Sequence, residues 1–408
     1  MQNWLERAAL IRPDRVALEM VGSGQLTYAE LLGAAGVRAA LYRDDGIEPG
    51  QPVYMHGAPG IPFATDLHAI LLHGAVAVPV DARLSPEEQG LRRVDGGALT
   101  PGTATVMFTS GTTSAPKPVH LSLENWAANA IGSALALGLD QDERWLCVMP
   151  LAHVGGLSIL LRSTMYATTV VLHDRYDTDA VLSELRDPER AITLVSLVPT
   201  MLARLLDAGL KDPPTLRWAL LGGGPIPPGL LARAAAAGVP VAPSYGMTEG
   251  CSQIATFGVP LYGVELRFDD GEIVVSGPNF ARNVLDSEGW LRTGDLGELD
   301  EGGLLRIVGR KSDTIVSGGE NVAPAEVEAV LLEHPAVADA GVFAREDAEW
   351  GEAVVARVVL HHGQQVTPEE LRVFSGERLA RFKVPKEISF AQELPRTVSG
   401  KLLRRELR

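Results

Sequence analysis

The chain has 408 residues, which exceeds the usual size of one hydrophobic core and predicts two or more domains. Hydrophobic residues make up 46% and charged residues 21% of the sequence, as in globular proteins, and the formal net charge is −15. This acidity argues against nucleic acid or an anionic membrane surface as the main partner. It also means that an anionic ligand needs local positive groups.

The two cysteines, Cys147 and Cys251, form neither a disulfide framework nor a CxxC pair, which favours a reducing cytoplasm. The N-terminus lacks the basic and apolar regions of a signal peptide. Residues 67–80 are the most apolar long stretch, but two histidines and a proline interrupt it. We therefore expect no membrane insertion.

Strands and helices alternate through the first 250 residues. Apolar strands are predicted near 16–20, 53–56, 75–80, 104–109, 145–149, 169–172, 194–198, 218–221 and 239–244, and helices near 3–10 and 63–72. Thr27 with Glu30 matches a capping box that opens a helix reaching about Leu41, and Ser122 caps another helix. This alternation predicts α/β layers with parallel strands.

From about residue 260 the pattern changes to short strands with Gly/Asp turns, which predicts a β-rich subdomain. We place a domain boundary near 309–313, giving domains 1–310 and 311–408. The second domain should hold helices at 324–332 and 368–381 and strands near 338–343 and 353–360. The predicted fold class is α/β: a large N-terminal domain of layered βα sheets with a small β-rich subdomain, plus a small, mobile α+β C-terminal domain.

The most informative stretch follows the strand at 104–109, where hydroxyl residues surround one glycine and a lysine closes the loop. Backbone N–H groups and hydroxyls can face one concavity in such a loop, so we predict that it binds a polyphosphate. The Walker pattern is absent from it, and an ordinary Ser/Thr-rich surface loop is the alternative. The candidate residues are Thr109, Ser110, Gly111, Thr112, Thr113 and Lys117.

Two later motifs place nucleotide-binding chemistry after strands. On a tight turn, Tyr245 could stack on a base, Thr248 could bond a phosphate oxygen and Glu249 could help to hold Mg²⁺. Asp295, after a glycine turn, could accept both hydroxyls of a ribose, with Arg310 beside it. The plainer alternatives are a gap-filling tyrosine, a solvated glutamate, a turn aspartate and a surface ion pair.

Taken together, these motifs resemble those of the adenylate-forming superfamily, which includes acyl-CoA synthetases, peptide-synthetase adenylation domains and luciferases. The resemblance covers nearly the whole chain and keeps the motif order. That order is the loop at 109–117, Tyr-Gly-x-Thr-Glu at 245–249, Thr-Gly-Asp at 293–295, Gly-Arg-Lys-Ser-Asp through Ser-Gly-Gly-Glu-Asn at 309–321, and Gly-Lys at 400–401. Lys401 alone would be one more cation in a basic tail, but the resemblance implies a catalytic role.

Within the superfamily the chain is similar to the o-succinylbenzoate–CoA ligases of menaquinone biosynthesis. The similarity rests on Pro150-Leu-Ala-His-Val-Gly-Gly-Leu-Ser and Ser244-Tyr-Gly-Met-Thr-Glu-Gly-Cys-Ser-Gln253, among other stretches. The chain departs from the pattern at Ser114 and Pro118, where the superfamily usually has glycines. The segment between Arg93 and the loop strand is also much shorter than in relatives, so we expect a trimmed first sublobe.

The resemblance implies a two-step ligase that uses ATP, Mg²⁺ and coenzyme A. A carboxylate attacks the α-phosphorus of MgATP and releases pyrophosphate, and the thiol of CoA then displaces AMP. The catalytic candidates are Lys401, Thr248, Glu249 and His153. Further candidate contacts are Gly223, Ser244, Tyr245, Gly246, Asp295 and Arg310 on the nucleotide, Gly222 on the acid, and Gly318 and Gly319 on the pantetheine arm of CoA.

The acid implied by the resemblance carries two carboxylates, and the one that is not activated needs a cation or donors in its pocket. His153 and Ser158 follow a strand end, and Gly155 and Gly156 are expected to leave room for an aromatic ring. Arg204 is the candidate cation, with a surface pair to a nearby aspartate as the alternative. We expect activity on o-succinylbenzoate but not on benzoate or acetate.

The two half-reactions need different groups at the same phosphorus. We expect the C-terminal domain to turn about residues 311–313, so that Lys401 serves adenylation and the Gly318-Gly319 loop serves thioester formation. A general aryl- or acyl-CoA ligase, a ligase that loads a carrier-protein thiol and a non-catalytic nucleotide-binding regulatory protein are the alternatives. No carrier domain follows Arg408, which favours CoA, and the presence of Lys401 and Glu249 disfavours the regulatory protein. A homo-oligomer is compatible with the sequence.

Overall fold

The structure is a computed structural model that describes residues 3–109, 116–347, 350–396 and 402–407. These ranges contain eleven α-helices, numbered α1 to α11 in chain order. They are Trp4–Ile11, Tyr28–Asp44, Ile61–His73, Pro86–Gly90, Leu123–Leu137, Val154–Tyr166, Thr178–Arg186, Pro199–Asp207, Pro228–Ala236, Pro324–Leu331 and Pro368–Gly376.

The same ranges contain twenty-two strands, numbered β1 to β22 in chain order. They are Val16–Met20, Gly24–Thr27, Pro52–His56, Val76–Val80, Thr103–Thr109, Lys117–Ser122, Arg144–Cys147, Thr169–Leu172, Leu194–Leu197, Trp218–Leu221, Val241–Met247, Ser252–Thr256, Val259–Pro260, Glu265–Asp269, Glu272–Ser276, Leu291–Leu299, Leu305–Arg310, Ile315–Ser317, Glu320–Val322, Val337–Asp347, Gly351–Leu360 and Glu387–Phe390.

The chain divides into two compact units, of which the first comprises Met1–Gly222, Ala234–Glu265 and Val275–Leu291. Its larger sheet has the order β13-β12-β11-β10-β9-β7-β8-β1-β2, and the six strands from β11 to β1 run parallel. Its smaller sheet has the order β3-β4-β5-β6, with only β6 antiparallel. The predicted α/β layers are therefore confirmed, with antiparallel strands added at the sheet edges.

Local capping signals start the helices as the sequence predicts. The Thr27 hydroxyl accepts the backbone N–H of Glu30, and the Glu30 carboxylate accepts the N–H of Thr27, which completes the predicted capping box. Ser122 caps α5 in the same reciprocal way with Asn125. The helices bury large apolar side chains, such as Trp126, against the sheets. These packing contacts hold the parallel strands, and therefore their carboxyl ends, in defined positions.

The second face of the small sheet carries a separate apolar cluster, Val76, Val78 and Val106. The segment between β4 and β5 covers it with Val94 and Leu99. Within that segment the described regular structure is the five-residue helix α4 and one 3₁₀ turn, Gly96–Ala98. The cover over this face is therefore short.

The second unit comprises Gly223–Arg233, Leu266–Val274 and Arg292–Arg408. It holds most of the four-stranded sheet β14-β15-β16-β17 and all of the sheet β19-β18-β21-β20, in which β22 pairs with β21. Helices α10 and α11 pack on the second sheet through a core that includes Val327, Leu331 and Leu371. The predicted helix at 368–381 is wrong at its end, because α11 stops at Gly376 and a separate 3₁₀ turn begins at Arg381. The predicted domain boundary at 310/311 stays a prediction.

Within the described ranges, no helix combines the length and the apolarity needed to cross a bilayer.

Candidate functional site

Three groups of candidate residues in the first unit follow parallel strands of the nine-stranded sheet. His153 comes after β7, Gly222 directly follows β10, and Ser244 lies in β11, directly after the residues that pair parallel with β10. The carboxyl ends of parallel strands lie at the same edge of a sheet, which is where ligands bind in open α/β folds. The sheet therefore brings these sequence-predicted residues to one edge.

The Tyr245–Glu249 motif does not form the tight turn that the sequence predicts. Strand β11 continues through Met247, because β12 returns antiparallel to it and pairs with Ser244 to Met247. The register shifts at Gly246, where a Cβ atom would lie 1.6 Å from the Ser252 carbonyl oxygen. Only glycine fits this approach of the two strands, which is the physical reason for a glycine at this motif position.

The turn itself is the 3₁₀ segment Thr248–Gly250, which carries the two predicted phosphate and metal contacts. The carbonyl of Glu249 accepts the backbone N–H of Ala281 at 2.9 Å. The Cys251 N–H donates to the Thr248 carbonyl at 3.2 Å. Backbone bonds from two directions thus hold the residues that the sequence assigns to α-phosphate and Mg²⁺.

His153 is joined to a carboxylate that the sequence interpretation missed. His153 begins α6 as its N-cap, and its Nε2 lies 3.1 Å from Oδ2 of Asp81. Asp81 is also bound by Arg83, with Nε 2.9 Å from Oδ1 and Nη2 2.7 Å from Oδ2. Asp81 is 8% exposed, whereas 38% of the His153 side chain is exposed. The buried carboxylate therefore orients an accessible imidazole.

Burial of Asp81 opposes ionisation, but the hydrogen bonds from Arg83 and His153 outweigh it and hold the pKa of Asp81 well below its ordinary value. Because the carboxylate accepts, the proton of the imidazole is assigned to Nε2, and Nδ1 is the nitrogen left to meet a ligand. Asp81 directly follows the buried strand β4. That position at a carboxyl end is the signal that could have found it.

Close backbone contacts explain two glycines near this edge. At Gly222 a Cβ atom would lie 2.9 Å from the Ser244 carbonyl oxygen. At Gly156 it would lie 2.4 Å from the carbonyl oxygen of Pro150. The Pro150 backbone thus accounts for the glycine at 156, and room for an aromatic ring beside Gly155 and Gly156 stays a prediction.

The two remaining acid-pocket candidates differ in their exposure. Ser158 is buried within α6, and its hydroxyl donates to the Gly155 carbonyl at 3.0 Å. Arg204 lies in α8 with an exposed side chain. Their roles in acid binding stay predictions.

The phosphate loop lies mostly outside the described residues. Thr109 ends β5 and Lys117 begins β6, and the two are cross-strand partners in an antiparallel pair. Ser110, Gly111, Thr112 and Thr113 fall outside the described ranges, and so does Lys401. The strand that leads into the loop is present as predicted.

Asp295 and Arg310 form an ion pair in the second unit. They are cross-strand partners on β16 and β17, and Arg310 Nε lies 2.7 Å from Asp295 Oδ1. Asp295 lies inside strand β16, so the predicted turn is only the single residue Gly294, which has φ +72° and donates its N–H to Glu272. Asp295 is 6% exposed, so its carboxylate is held in a defined position.

The predicted CoA glycines form the tip of the β18–β19 hairpin. Gly318 and Gly319 have φ +61° and +86°, as in a type I′ turn. A Cβ atom at Gly318 would lie 2.8 Å from Trp350, and the Gly318 N–H donates to the Trp350 carbonyl at 2.8 Å. Both glycines thus have a structural reason, independent of any ligand.

Mg²⁺ fits the donor set of the Thr248–Gly250 turn. In the part of the chain that the structure describes, no three His, Cys, Asp or Glu side chains gather as a protein-built metal cage. Mg²⁺ in nucleotide enzymes needs no such cage, because one or two carboxylates together with substrate phosphates and water hold it. The single carboxylate of Glu249 meets that requirement.

Two family models match the chain. The AMP-binding enzyme model matches residues 5–98 and 98–299, and the model of the AMP-binding enzyme C-terminal domain matches residues 326–401. The chain therefore belongs to the AMP-binding enzyme family. The resemblance to adenylate-forming enzymes is thus confirmed.

Individual relatives are similar over their whole length. The Bacillus cereus protein named 2-succinylbenzoate–CoA ligase is 39% identical over 477 aligned positions, which cover 100% of this chain and 98% of the relative. The structure of Bacillus subtilis o-succinylbenzoate CoA synthetase (MenE) with the acyl-adenylate intermediate OSB-AMP matches with a TM-score of 0.91, at 36% identity over 100% and 98% of the two chains. The same synthetase with ATP and magnesium matches with a TM-score of 0.89, at 36% identity over 99% of each chain. These matches confirm the predicted fold class.

The alignment with this relative is longer than the chain itself. The 477 aligned positions exceed the 408 residues of this chain by 69. The family match breaks at Ala98, inside the short cover between β4 and β5. This division agrees with the shortening expected after Arg93.

Proposed function

We propose that this chain is an AMP-forming acid–CoA ligase that converts o-succinylbenzoate to its CoA thioester in menaquinone biosynthesis. One observation carries the proposal: the whole chain matches proteins named 2-succinylbenzoate–CoA ligase, at a level where both family models also match. We place the reaction in the cytoplasm, as the cysteine content favours.

In the first half-reaction, a carboxylate oxygen of the acid attacks the α-phosphorus of ATP, and the bond to the β-phosphate oxygen breaks. We assign the α-phosphate to the Thr248 hydroxyl and the bound Mg²⁺ to Glu249. Mg²⁺ would neutralise phosphate charge during the displacement. Two backbone hydrogen bonds support this assignment, because they fix the turn before substrate binds. Ala281 donates its N–H to the Glu249 carbonyl, and Cys251 donates its N–H to the Thr248 carbonyl.

The ribose is assigned to the Asp295–Arg310 pair. A carboxylate accepts two hydroxyl protons in parallel, as acidic residues do in dinucleotide folds. Arg310 holds one carboxylate oxygen, Oδ1, at 2.7 Å. The ion pair therefore sets the orientation in which the carboxylate can receive a diol.

The acid is assigned to the edge that carries His153. The Asp81 carboxylate fixes the ring, so that Nδ1 can contact the acid. Arg204 and Ser158 remain candidates for the second carboxylate and the pocket wall. Gly222 and Ser244 border the same sheet edge through their close backbone contact.

In the second half-reaction, the CoA sulfur attacks the acyl carbon, and the carbon–oxygen bond to AMP breaks. We assign the cation for adenylation to Lys401 and the pantetheine arm to Gly318 and Gly319. The exposed hairpin tip has no side chains at Gly318 and Gly319, so a ligand could approach its backbone closely, which supports the second assignment.

The test is pyrophosphate release by the purified protein with MgATP and a panel of acids, followed by thioester formation on addition of CoA. We expect release with o-succinylbenzoate and little with benzoate or acetate. Equal turnover of simple benzoates would reduce the assignment to a general aryl-CoA ligase. An adenylate that no free thiol accepts would point to a carrier-protein thiol instead.

A further inference from the structure

A buried arginine lies beneath the Tyr245–Glu249 motif and has no role in the function proposed above. Arg162, in helix α6, is 1% exposed. Its Nε and Nη1 atoms have no hydrogen-bond partner, and its Nη2 donates to Oδ1 of Asn129. Its guanidinium carbon lies 5.8 Å from the centre of the Trp145 ring. In the described part of the chain, no carboxylate forms an ion pair with it.

Such an arginine is costly, since a buried charge without a counter-ion destabilises a fold. Burial lowers the pKa of Arg162 to about 10, so the side chain still carries its charge at neutral pH. Buried polar groups in native structures are nearly always paired, and the exceptions call for an explanation. The contacts of Asn129 supply one.

Asn129, in helix α5, links the cation to the motif. It is 1% exposed, and its Nδ2 donates to the carbonyl of Gly250 at 3.1 Å and to the carbonyl of Gln253 at 2.8 Å. Because its Oδ1 accepts from a charged donor, the amide is polarised and its N–H groups donate more strongly. An amide that is polarised by a cation thus binds the carbonyls of Gly250 and Gln253, one on each side of a tight turn.

The backbone of that turn has an unfavourable conformation, so other contacts must stabilise it. Cys251 has φ +60° and Ser252 has φ +99°, values that residues other than glycine rarely adopt. Asn279 adds a second amide donor to the Gly250 carbonyl at 3.1 Å. The turn begins with Thr248 and Glu249, so its conformation sets where the Glu249 carboxylate points.

We propose that Arg162 and Asn129 are a positioning pair for the metal-binding carboxylate: the buried guanidinium polarises Asn129, and Asn129 locks the Thr248–Ser252 turn in the conformation that presents Glu249 to Mg²⁺. The pair touches no substrate, and it acts through the turn. This inference rests on the proposed role of Glu249 in holding Mg²⁺.

Asn129→Asp is the direct test. The new carboxylate still accepts from Arg162, so the buried cation keeps its partner, but both donors to the turn are lost. The matched control is Asn125→Asp, on the same helix, where Nδ2 also donates to two backbone carbonyls, those of Pro278 and Phe280, at 2.8 Å each. Pyrophosphate release with o-succinylbenzoate is measured across a Mg²⁺ titration, together with Tm.

We expect Asn129→Asp to raise the Mg²⁺ concentration for half-maximal rate by about tenfold or more, as loss of a residue supporting a metal ligand does. Asn125→Asp should leave that concentration within about twofold. An unchanged Mg²⁺ dependence in Asn129→Asp, or an equal shift in Asn125→Asp, would overturn the proposal.

Arg162→Met is the second variant, and it decides the question if Asn129→Asp fails to fold. Removing a buried cation that has no counter-ion should leave Tm unchanged or higher, while the Mg²⁺ requirement rises. A purely structural arginine would give the reverse, a lower Tm with an unchanged Mg²⁺ requirement.

Glu249→Gln separates the two assumptions. If Asn129 acts through Glu249, the Mg²⁺ requirement of the double variant Asn129→Asp/Glu249→Gln should equal that of Glu249→Gln alone. Additive shifts would overturn the positioning role. An unchanged Mg²⁺ requirement in Glu249→Gln would overturn both statements and place the error in the assigned role of Glu249.

Discussion

The imidazole Nε2 of His153 lies 3.1 Å from Oδ2 of Asp81, although 72 positions separate the two residues. Asp81 follows β4 of the small sheet, and His153 follows β7 of the large sheet. The Asp81 carboxylate, which follows a strand of the small sheet, therefore orients the imidazole of His153, the N-cap residue of α6. This relationship sets the first prediction.

Asp81→Asn should raise the KM for o-succinylbenzoate and leave the KM for ATP unchanged, because the orienting charge on His153 is lost while the side-chain shape is kept. A hydrogen bond to a charged group contributes about 1.5–3 kcal/mol, so a change of about tenfold or more in kcat/KM for the acid is expected. The control is Asp66→Asn, which also removes a carboxylate bound by an arginine and a ring, Arg38 and Tyr42. A parallel rise in the KM for ATP would contradict an acid-site role.

The same variant should act independently of pH near neutrality. The pKa of Asp81 is depressed below 3.8, so its stabilising charge is fully present above that value and is lost only as the pH falls further. The ratio of variant to wild-type activity should therefore be constant between about pH 6 and 8.

Asp295→Ala should raise the KM for ATP by about tenfold or more, since hydrogen bonds from the ribose to a charged group are each worth about 1.5–3 kcal/mol. Glu298→Ala is the matched control, because Glu298 and Arg306 form an exposed pair on the same two strands. Exposed pairs contribute about 0–1 kcal/mol and lie outside the proposed contacts. Equal KM values for ATP in Asp295→Ala and wild type would remove Asp295 from the nucleotide site.

Gly246→Ala should lower Tm and abolish most pyrophosphate release, because the new methyl group would lie 1.6 Å from the Ser252 carbonyl. Overpacking of this kind costs about 1–3 kcal/mol or more. Gly36→Ala, at an open position in helix α2, should instead raise stability by about 0.5–1 kcal/mol. Calorimetry checks that Tm falls in Gly246→Ala and rises in Gly36→Ala. An unchanged Tm in Gly246→Ala would show that β11 and β12 can shift apart at this position.

His68 should make the first unit less stable in mild acid. Burial lowers the pKa of His68 to about 4 from 6.5, and its Nε2 lies 3.2 Å from the Thr164 hydroxyl. Below about pH 6.5 the unfolded chain takes up a proton that the folded chain refuses, so stability falls with pH by up to about 3 kcal/mol. His68→Gln should reduce that fall, as measured by urea unfolding near pH 7 and near pH 5. The same pH dependence in both proteins would argue against it.

The two half-reactions should separate in two variants. Lys401→Ala should lose adenylation by orders of magnitude yet still convert supplied acyl-adenylate and CoA to thioester. Ser312→Pro should keep adenylation and lose thioester formation. Ser312 lies in the 3₁₀ turn Lys311–Asp313, and a proline there would fix φ and restrict the proposed hinge. Separate assays of each half-reaction check this, and equal impairment of both steps by Lys401→Ala would refute it.

Local patterns predicted the elements well because the forces that set them are local. Thr27 and Glu30 are one helical turn apart, and their reciprocal bonds depend on nothing distant. The motif at 245–249 was misread as a turn because β12, which follows it, extends β11 by pairing with it. Pairing is a tertiary event, and the only local trace of it is Gly246.

The support beneath the site could not be predicted for a different reason. Asn129 and Arg162 lie in helices whose sequences are mostly apolar. Asn129 binds Gly250, 121 positions away, and Arg162 binds Asn129, 33 positions away. A polar residue in such a helix is usually solvated, and only the packing of α5 against α6 shows that these two are buried. Asp81 could have been predicted from the sequence, because ligands bind at the carboxyl ends of parallel strands, and Asp81 directly follows β4.

The short cover at Gly96–Ala98 has a practical consequence for engineering. Relatives carry 69 more aligned positions than this chain, and the family match breaks at this exposed turn. The turn precedes β5, the strand that leads into the phosphate loop. Exposed turns of this kind tolerate inserted sequence best. We therefore expect a fluorescent domain inserted after Gly97 to leave the strand order β3-β4-β5-β6 intact.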